Sequence, residues 1–523
     1  MLRENLIGFL NAERRPLATL AAGGVALGTS FLSPLLWWLS LIALVPLLAL
    51  VHSRTHTPRK IFWYGWVYGF SFIGTVHLWI WQTLPLSWAG AHNASWSLLL
   101  VFLCWFSVSL AQSLFIACFS AAASRLRFRN ALSITLATAA LWILFEYIRM
   151  WGIALFTWGE GSILSPHYSV GFLGYALAPH DLLLQLASLG GVYLLSFAAV
   201  CINGFIWWVL DTRGPDARRT VLGVTLTAFL FATAFTGTLW WNPAEGAERQ
   251  IRAALFHTNF TVTTLNTPAD VRVQKLNTHW SLLYKIKDSR EHPDVVVIPE
   301  TGRFLSSLER VQSLDSIVRE SGLNSTLFID SSRREDGGMA KGEIWYLAPG
   351  TSTPQIQEKH FLIPFGEYLP YYYATPLKLL NGERFADFSR HRNYNAGEAK
   401  RLTSATGERV GARACSEILS PSLYSDSTLA GAKILVNVAS HGVFHNSKIM
   451  HYQALSIARV RAVENNRYLL RASNLSPSFV IDNRGRVVDQ SLWNETGVLS
   501  SSVYLIDADS PYNTLRRTIS SLL

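Results

Sequence analysis

Gly411-Ala412-Arg413-Ala414-Cys415-Ser416-Glu417-Ile418-Leu419 is the stretch around which the second half of the chain is organised. It carries the single cysteine that lies outside the apolar segments. Cys104, Cys118 and Cys201 sit inside long hydrophobic runs, where a cysteine is ordinarily a small packing residue. A short strand-like run leads into Cys415 and a helix-like run follows it. A thiol placed at a strand end, facing a helix start, can have its pKa lowered and act as a nucleophile. One cysteine is a weak signal by itself, so its company decides.

Working outward, the 523 residues are 50% apolar and only 15% charged, with 19 tryptophans, which is too greasy for an ordinary soluble enzyme. The excess is uneven. Residues 16–241 hold few charges, whereas residues 242–523 read as a globular domain with alternating strands, turns and helices. The expected domains are a membrane part over 1–241, a catalytic part over 242–510 and a short polar tail over 511–523. The net charge of +10 comes largely from loops between apolar runs, and no basic-aromatic repeat accompanies it, so topology accounts for much of it and a nucleic-acid partner is excluded. Four cysteines without paired spacing make no disulfide framework.

Seven runs are long enough to cross a hydrocarbon core, near 16–33, 34–52, 61–83, 96–123, 131–150, 182–210 and 220–241. Ser33-Pro34 alone separates the first two, which leaves a tight hairpin or re-entrant element open. Arg3, Arg14 and Arg15 precede the first run. Arg54, Arg59 and Lys60 follow the second, Arg125, Arg127 and Arg129 the fourth, and Arg213, Arg218 and Arg219 the sixth. The alternate loops are poor in Lys and Arg, so the amino terminus is expected in the cytoplasm and residues 242–523 outside. Gly24-x-x-x-Gly28 and Gly65-x-x-x-Gly69 suit close helix packing. Glu146 and Arg149, three apart, can share one helical face, as a functional or a structural ion pair.

In the outer domain, residues 251–256, 295–299, 326–330, 344–347, 434–438, 468–471 and 479–481 read as strands, and 304–320 and 448–466 as helices. Asp482-Asn483-Arg484-Gly485 marks a hairpin turn. Three polar residues stand at or near strand ends: Glu300, Lys359 and Cys415. Each has an ordinary alternative, since Glu300 could be a helix cap or surface charge and Lys359 could reach to water. Together they supply complementary chemistry. A carboxylate can take the thiol proton, an ammonium can hold an oxyanion, and the thiolate can form a thioester. Sequence spacing does not prove that they meet.

With those residues quoted, the chain resembles the apolipoprotein N-acyltransferase family, the membrane-bound branch of the nitrilase superfamily. The resemblance rests on Pro299-Glu300-Thr301, on Lys359-His360-x-x-x-Pro364-Phe365-Gly366-Glu367-Tyr368, on Cys415-x-Glu417 and on the run from Asn437 to Asn474. It implies a multi-span α-helical membrane domain plus an α/β nitrilase-like α-β-β-α sandwich in the periplasm, at the bacterial inner membrane. It implies catalytic Glu300 (base), Lys359 (oxyanion) and Cys415 (acyl carrier), with Glu367 orienting the lysine and Glu417 as a further site carboxylate. The implied reaction moves an acyl chain from a glycerophospholipid, through a thioester, to the amine of a diacylglyceryl-cysteine lipoprotein, without a cofactor or metal and as a monomer. Three positions depart from the family pattern. Ser416 stands where an aromatic is usual, Ser440-His441-Gly442-Val443-Phe444 replaces Asn-Asp-x-Trp-Phe, and the tail lacks the usual closing span.

Tyr368, Phe444, Leu379 and Leu380 are candidates for substrate binding. The last two belong to a greasy stretch, 361–388, that either dips into the outer leaflet or fills the domain core. His441, His445 and His451 do not have metal-site spacing, and a Cys415–His441 dyad ranks behind the lysine. A membrane-tethered amidase using the same residues and a non-catalytic homologue are the rival readings.

Overall fold

The computed structural model describes residues 2–53, 55–127, 131–210, 247–261, 269–289, 292–300, 302–309, 314–380, 382–389, 392–398 and 409–522. The run expected to cross near 220–241 lies outside the described residues. Contacts divide the chain into two units, Met1–Trp81 with Phe102–Ile153 and Ser169–Trp240, and Gln82–Val101 with Ala154–Tyr168 and Trp241–Leu523. The division is not one cut in the sequence. Segments 82–101 and 154–168, which interrupt the apolar runs, belong with the second unit.

Four helical stretches among the described residues are long and apolar enough to cross a membrane: Pro34–His52, Ala94–Ala123, Leu132–Phe156 and Ala187–Leu210. The first is two pieces, because Ser33 caps a 3₁₀ turn over Pro34–Leu41 before the helix Val45–His52. The helix expected over 61–83 spans Pro58–Val76 and gives way to a short turn. Its glycines sit where nothing larger fits. A β-carbon on Gly65 would lie 2.4 Å from Ser120 Oγ, and one on Gly24 of the facing helix Leu2–Thr29 would lie 2.4 Å from the Tyr68 carbonyl oxygen, so small residues let these helices pack closely. The last span begins at Ala187 rather than 182 and is broken at Gly191, whose φ of +65° a side chain would resist.

The second unit is built on eleven strands: β1 (Ala247–Thr258), β2 (Val295–Val297), β3 (Leu327–Asp336), β4 (Met339–Leu347), β5 (Gln355–Glu358), β6 (Val410–Ala414), β7 (Ile434–Ser440), β8 (Leu469–Asn474), β9 (Phe479–Ile481), β10 (Val487–Gln490) and β11 (Gly497–Ile506). Strands β1 to β5 pair in order, as do β6 to β10. The two sets join where His257 and Thr258 of β1 pair with Ser473 and Asn474 of β8, and β11 runs antiparallel on β1.

Alternation along the strands creates three apolar layers. Ile251, Ala253 and Leu255 face Ala412, Val436 and Leu470 in a core between the sheets. Ala254, Phe256, Val296 and Ile298 face the opposite way, under Leu282, Leu283 and Val318 of the helices Ala269–Asp288 and Leu314–Ser321. Helices Pro421–Leu429 and Lys448–Asn465 cover β6 to β8. The result is an α-β-β-α sandwich. The hairpin turn at 482–485 forms as expected, with Gly485 at φ +79°.

The helix expected over 304–320 is two helices, Phe304–Leu308 and Leu314–Ser321. The helix Ala269–Asp288 escapes a pattern reading because its buried stripe, His279, Leu282, Leu283 and Ile286, is short and includes a histidine. The stretch expected as a polar tail folds as Pro511–Leu522, with the Ser510 hydroxyl accepting from Asn513 N at 3.1 Å and Tyr512 buried.

Candidate active site

Cys415 follows directly on β6, at φ +32°. That left-handed backbone is costly for a residue with a β-carbon, by about 1–3 kcal/mol, and surrounding bonds must hold it. They come from three directions. Glu417, fully buried, accepts from Ala414 N at 2.8 Å with one oxygen and from His360 N at 3.0 Å with the other. Ser416 Oγ donates to Phe361 O at 2.9 Å. Asn437 Nδ2 donates to the carbonyls of Arg413 and Cys415, at 3.1 and 3.4 Å. Glu417 and Ser416 therefore tie the cysteine turn to the loop that carries Lys359. Their work is on the backbone, and Ser416 performs it at the position where the resemblance leads one to expect an aromatic.

Glu300 stands three residues past β2. Ser331 Oγ donates to the Glu300 carbonyl, and also to that of Pro299 at 3.3 Å, fixing the turn. Lys359 is held by its own backbone, its N–H on Gly342 O and its carbonyl on Gly397 N, both at 2.8 Å. Its ammonium lies 3.3 Å from Glu300 Oε1 and 2.8 Å from Glu367 Oε1. Glu367 Oε2 accepts from Ile363 N at 2.8 Å, which aims the carboxylate at the lysine.

Burial opposes the charge on Lys359, but Glu300, Glu367 and the Cys415 sulfur beside it hold it well above the ordinary lysine value. Burial raises Glu367 above the usual carboxylate range against the pull of Lys359. Burial and the Glu300 carboxylate push the Cys415 thiol up to about 12, with Lys359 and Arg471 opposing them. The resting group is thus a thiol beside a carboxylate, and a proton must move before sulfur can attack.

The remaining candidates are spread more widely. Tyr368 is buried, bonded to Thr157 and Ser162, and lines a narrow cleft with Tyr168, Phe361 and Leu362. Phe444 is half-buried, with its ring edge-on to His441. His441 forms no dyad with the thiol: its Nε2 accepts from Arg471 Nη2 at 2.9 Å, and the Cys415 sulfur instead faces Ser440 O at 4.0 Å. His445 is exposed and His451 packs on Trp493. Among the described residues no group of three His, Cys, Asp or Glu could hold a metal.

The greasy stretch 361–388 divides. Phe361, Leu362, Leu369 and Tyr373 are buried, while Leu379 and Leu380, closing the helix Tyr371–Leu380, are 83% and 80% exposed. Asn437 and Arg471 were not legible in advance. The one signal for them was a polar residue at the same level of two buried strands, since the two are register partners between β7 and β8.

Residues 23–205 match the family model described as the apolipoprotein N-acyltransferase N-terminal domain, and residues 306–510 match that of the carbon-nitrogen hydrolases. The chain belongs to the apolipoprotein N-acyltransferase family. The family member from Gloeobacter violaceus is 26% identical over 512 residues, covering 96% of this chain and 91% of its own length. That from Pseudomonas syringae is 28% identical over 517 residues, covering 95% and 92%. Among solved structures, a carbon-nitrogen hydrolase from Helicobacter pylori aligns with a TM-score of 0.36 at 14% identity, over 52% of this chain and 94% of its own. With its apolar helices, this apolipoprotein N-acyltransferase family member is a bacterial membrane protein.

Proposed function

We propose that the protein transfers an acyl chain from a glycerophospholipid to the amine of a diacylglyceryl-cysteine at a lipoprotein amino terminus, with Cys415 as the carrier. The observation that carries this reading is one ammonium, Lys359, set between Glu300 and Glu367 in the electrostatic field of the Cys415 sulfur. Glu300 takes the thiol proton as sulfur attacks the ester carbonyl. A C–S bond forms, and the developing oxyanion lies against Lys359. Collapse breaks the acyl C–O bond, Glu300 returns its proton to the glycerol oxygen, and a lysophospholipid leaves. In the second half the acceptor amine attacks the thioester, a C–N bond forms, the C–S bond breaks, and the amine proton passes through Glu300 to sulfur. Glu367 keeps Lys359 in place throughout.

In this reading residues 1–241 embed the protein in the inner membrane with the amino terminus inside, and residues 242–510 work in the periplasm, as the loop charges indicate. A single chain suffices, because Glu300, Lys359 and Cys415 come from one fold. Leu379 and Leu380 would rest in the outer leaflet, and Tyr368 and Phe444 would contact substrate. The test is the intact mass of the purified protein after incubation with phospholipid. One acyl mass, removed by hydroxylamine and absent in Cys415→Ala, is the expected result. A folded protein that gains no mass from any phospholipid would sink the proposal.

A further inference from the structure

The charge count around Cys415 does not close on Lys359 alone. Glu300 and Glu367 bring two negative charges to one ammonium, so these three groups sum to −1 before the thiol ionises. A thiolate formed there needs a second cation. Arg471 on β8 is placed to be one. Its side chain is 2% exposed, and in the register of the three parallel strands Arg413, Asn437 and Arg471 stand at one level, one residue before the level of Ala414. Arg471 Nη1 donates to Asn437 Oδ1, and Asn437 Nδ2 donates to the Cys415 carbonyl at 3.4 Å, so one amide joins guanidinium and nucleophile.

The other partner of Arg471 is neutral as well. Because a guanidinium only donates, His441 Nε2 must accept the 2.9 Å bond, and the imidazole carries its proton on Nδ1. Among the described residues no carboxylate lies within 4 Å of Arg471, and its Nε has no hydrogen-bond partner. Arg413, its neighbour in the row, instead faces Glu417 at 4.0 Å. A buried cation bonded only to neutral acceptors is expensive, and the charge that would relieve it is the sulfur's.

We propose that Arg471, held by Asn437 and His441, is a positioning residue whose buried charge stabilises the thiolate of Cys415. When the proton moves from sulfur to Glu300, a negative charge leaves the Lys359 side of the site and arrives on the Arg471 side, with the total unchanged. This inference deepens the acyl-transfer reading, since it rests on Cys415 as the nucleophile. The charged groups acting on the thiol are Glu300 beyond β2, Lys359 on the loop and Arg471 on β8, with the Ser440 carbonyl facing the sulfur; Glu367 acts through Lys359, and Tyr424, His441 and His451 are the titratable groups around Arg471.

The test is the pH dependence of Cys415 alkylation by iodoacetamide in the full-length, detergent-solubilised protein, read by mass spectrometry of the Cys415 peptide. Arg471→Met should shift the profile to higher pH and slow alkylation at pH 8 roughly tenfold, the equivalent of one pKa unit, while Arg471→Lys stays near wild type. His441→Asp, which pairs the guanidinium with a carboxylate, should slow alkylation similarly, and His441→Asn should not. If Arg471→Met does not fold, the two His441 variants decide. A folded His441→Asp with the wild-type profile, or a His441→Asn as slow as His441→Asp, overturns the proposal. Alkylation needs no lipid, so a chain that never forms an acyl adduct yet shows these shifts would keep the role of Arg471 and lose the acyl-transfer reading.

Discussion

The helical unit and the sandwich unit each bury an acid and a base, and they arrange them differently. In the helical unit, Glu146 accepts from Leu173 N at 2.7 Å, while Arg149 donates to Gln112 at 3.4 Å and lies 5.4 Å over the Phe172 ring. Both are 4% exposed, one positive charge for one negative, with backbone and amide groups around them. In the sandwich unit one lysine serves two carboxylates next to a thiol, and a second cation stands on neutral partners. The first arrangement sets one charge against one charge and holds helices. On the acyl-transfer reading proposed above, the second is completed by a charge that exists only during reaction. Similar side chains thus serve packing in one place and chemistry in the other, and the difference lies in the charge count.

Substitutions can break or sharpen that contrast. The largest effect belongs to Cys415→Ala, which should abolish the hydroxylamine-labile adduct with no loss of thermal stability. Lys359→Met should lower the single-turnover rate of adduct formation by roughly 10²–10³-fold, as loss of an oxyanion-stabilising group does. A full rate there would make the sandwich cluster as structural as the helical one. Next comes Glu417→Gln, which sets an amide N–H₂ against one of two backbone donors. It should cost about 1–3 kcal/mol in detergent melting and slow adduct formation through the displaced turn.

Glu146→Gln should also destabilise, by about 1–2 kcal/mol, yet leave the adduct rate per folded molecule unchanged. A lost rate with intact melting would move that pair into the chemistry. Leu379→Ser with Leu380→Ser should slow turnover on vesicle phospholipid severalfold and spare a soluble short-chain ester.

The smallest expected effect is acid sensitivity. Burial, with His360 and Arg413 nearby, lowers His167 to about 3, and its Nδ1 faces Ser420 Oγ at 2.8 Å. The unfolded chain takes up that proton near its ordinary value, so stability is whole above it and declines as pH falls from about 6.5 toward 3. His167 contributes about 1 kcal/mol of that loss by pH 5.5. Chemical denaturation of wild type and His167→Asn at pH 7.5 and 5.5 measures its share.

Much of the fold was legible because burial writes itself into periodicity. β2 and β9 are unbroken apolar runs, β7 is one interrupted by Asn437, and the spans over Ala94–Ala123 and Leu132–Phe156 are long apolar helices. Helices whose buried stripe is thin or polar escaped, Ala269–Asp288 and Pro511–Leu522 among them. The site divides along the same line. Glu300, Lys359 and Cys415 stood out as chemically apt residues near strand ends. Glu417 was assigned by motif position and Ser416 stood out only as a departure from the family pattern; the structure puts both on backbone groups of the loop that carries Lys359, with Glu417 also accepting from Ala414 N.

What the sequence determined by itself is composition and pattern: an apolar half with basic loops, an alternating half, and a lysine block with a cysteine that resemble one family. What only the tertiary structure decided is which charges face one another. Glu300 and Lys359 are 59 residues apart in sequence, and Arg471 is more distant still, yet their interaction depends on ångströms and on water being excluded. Local pattern records whether a residue is buried. It does not record what else is buried beside it, and in this site that neighbour sets the chemistry.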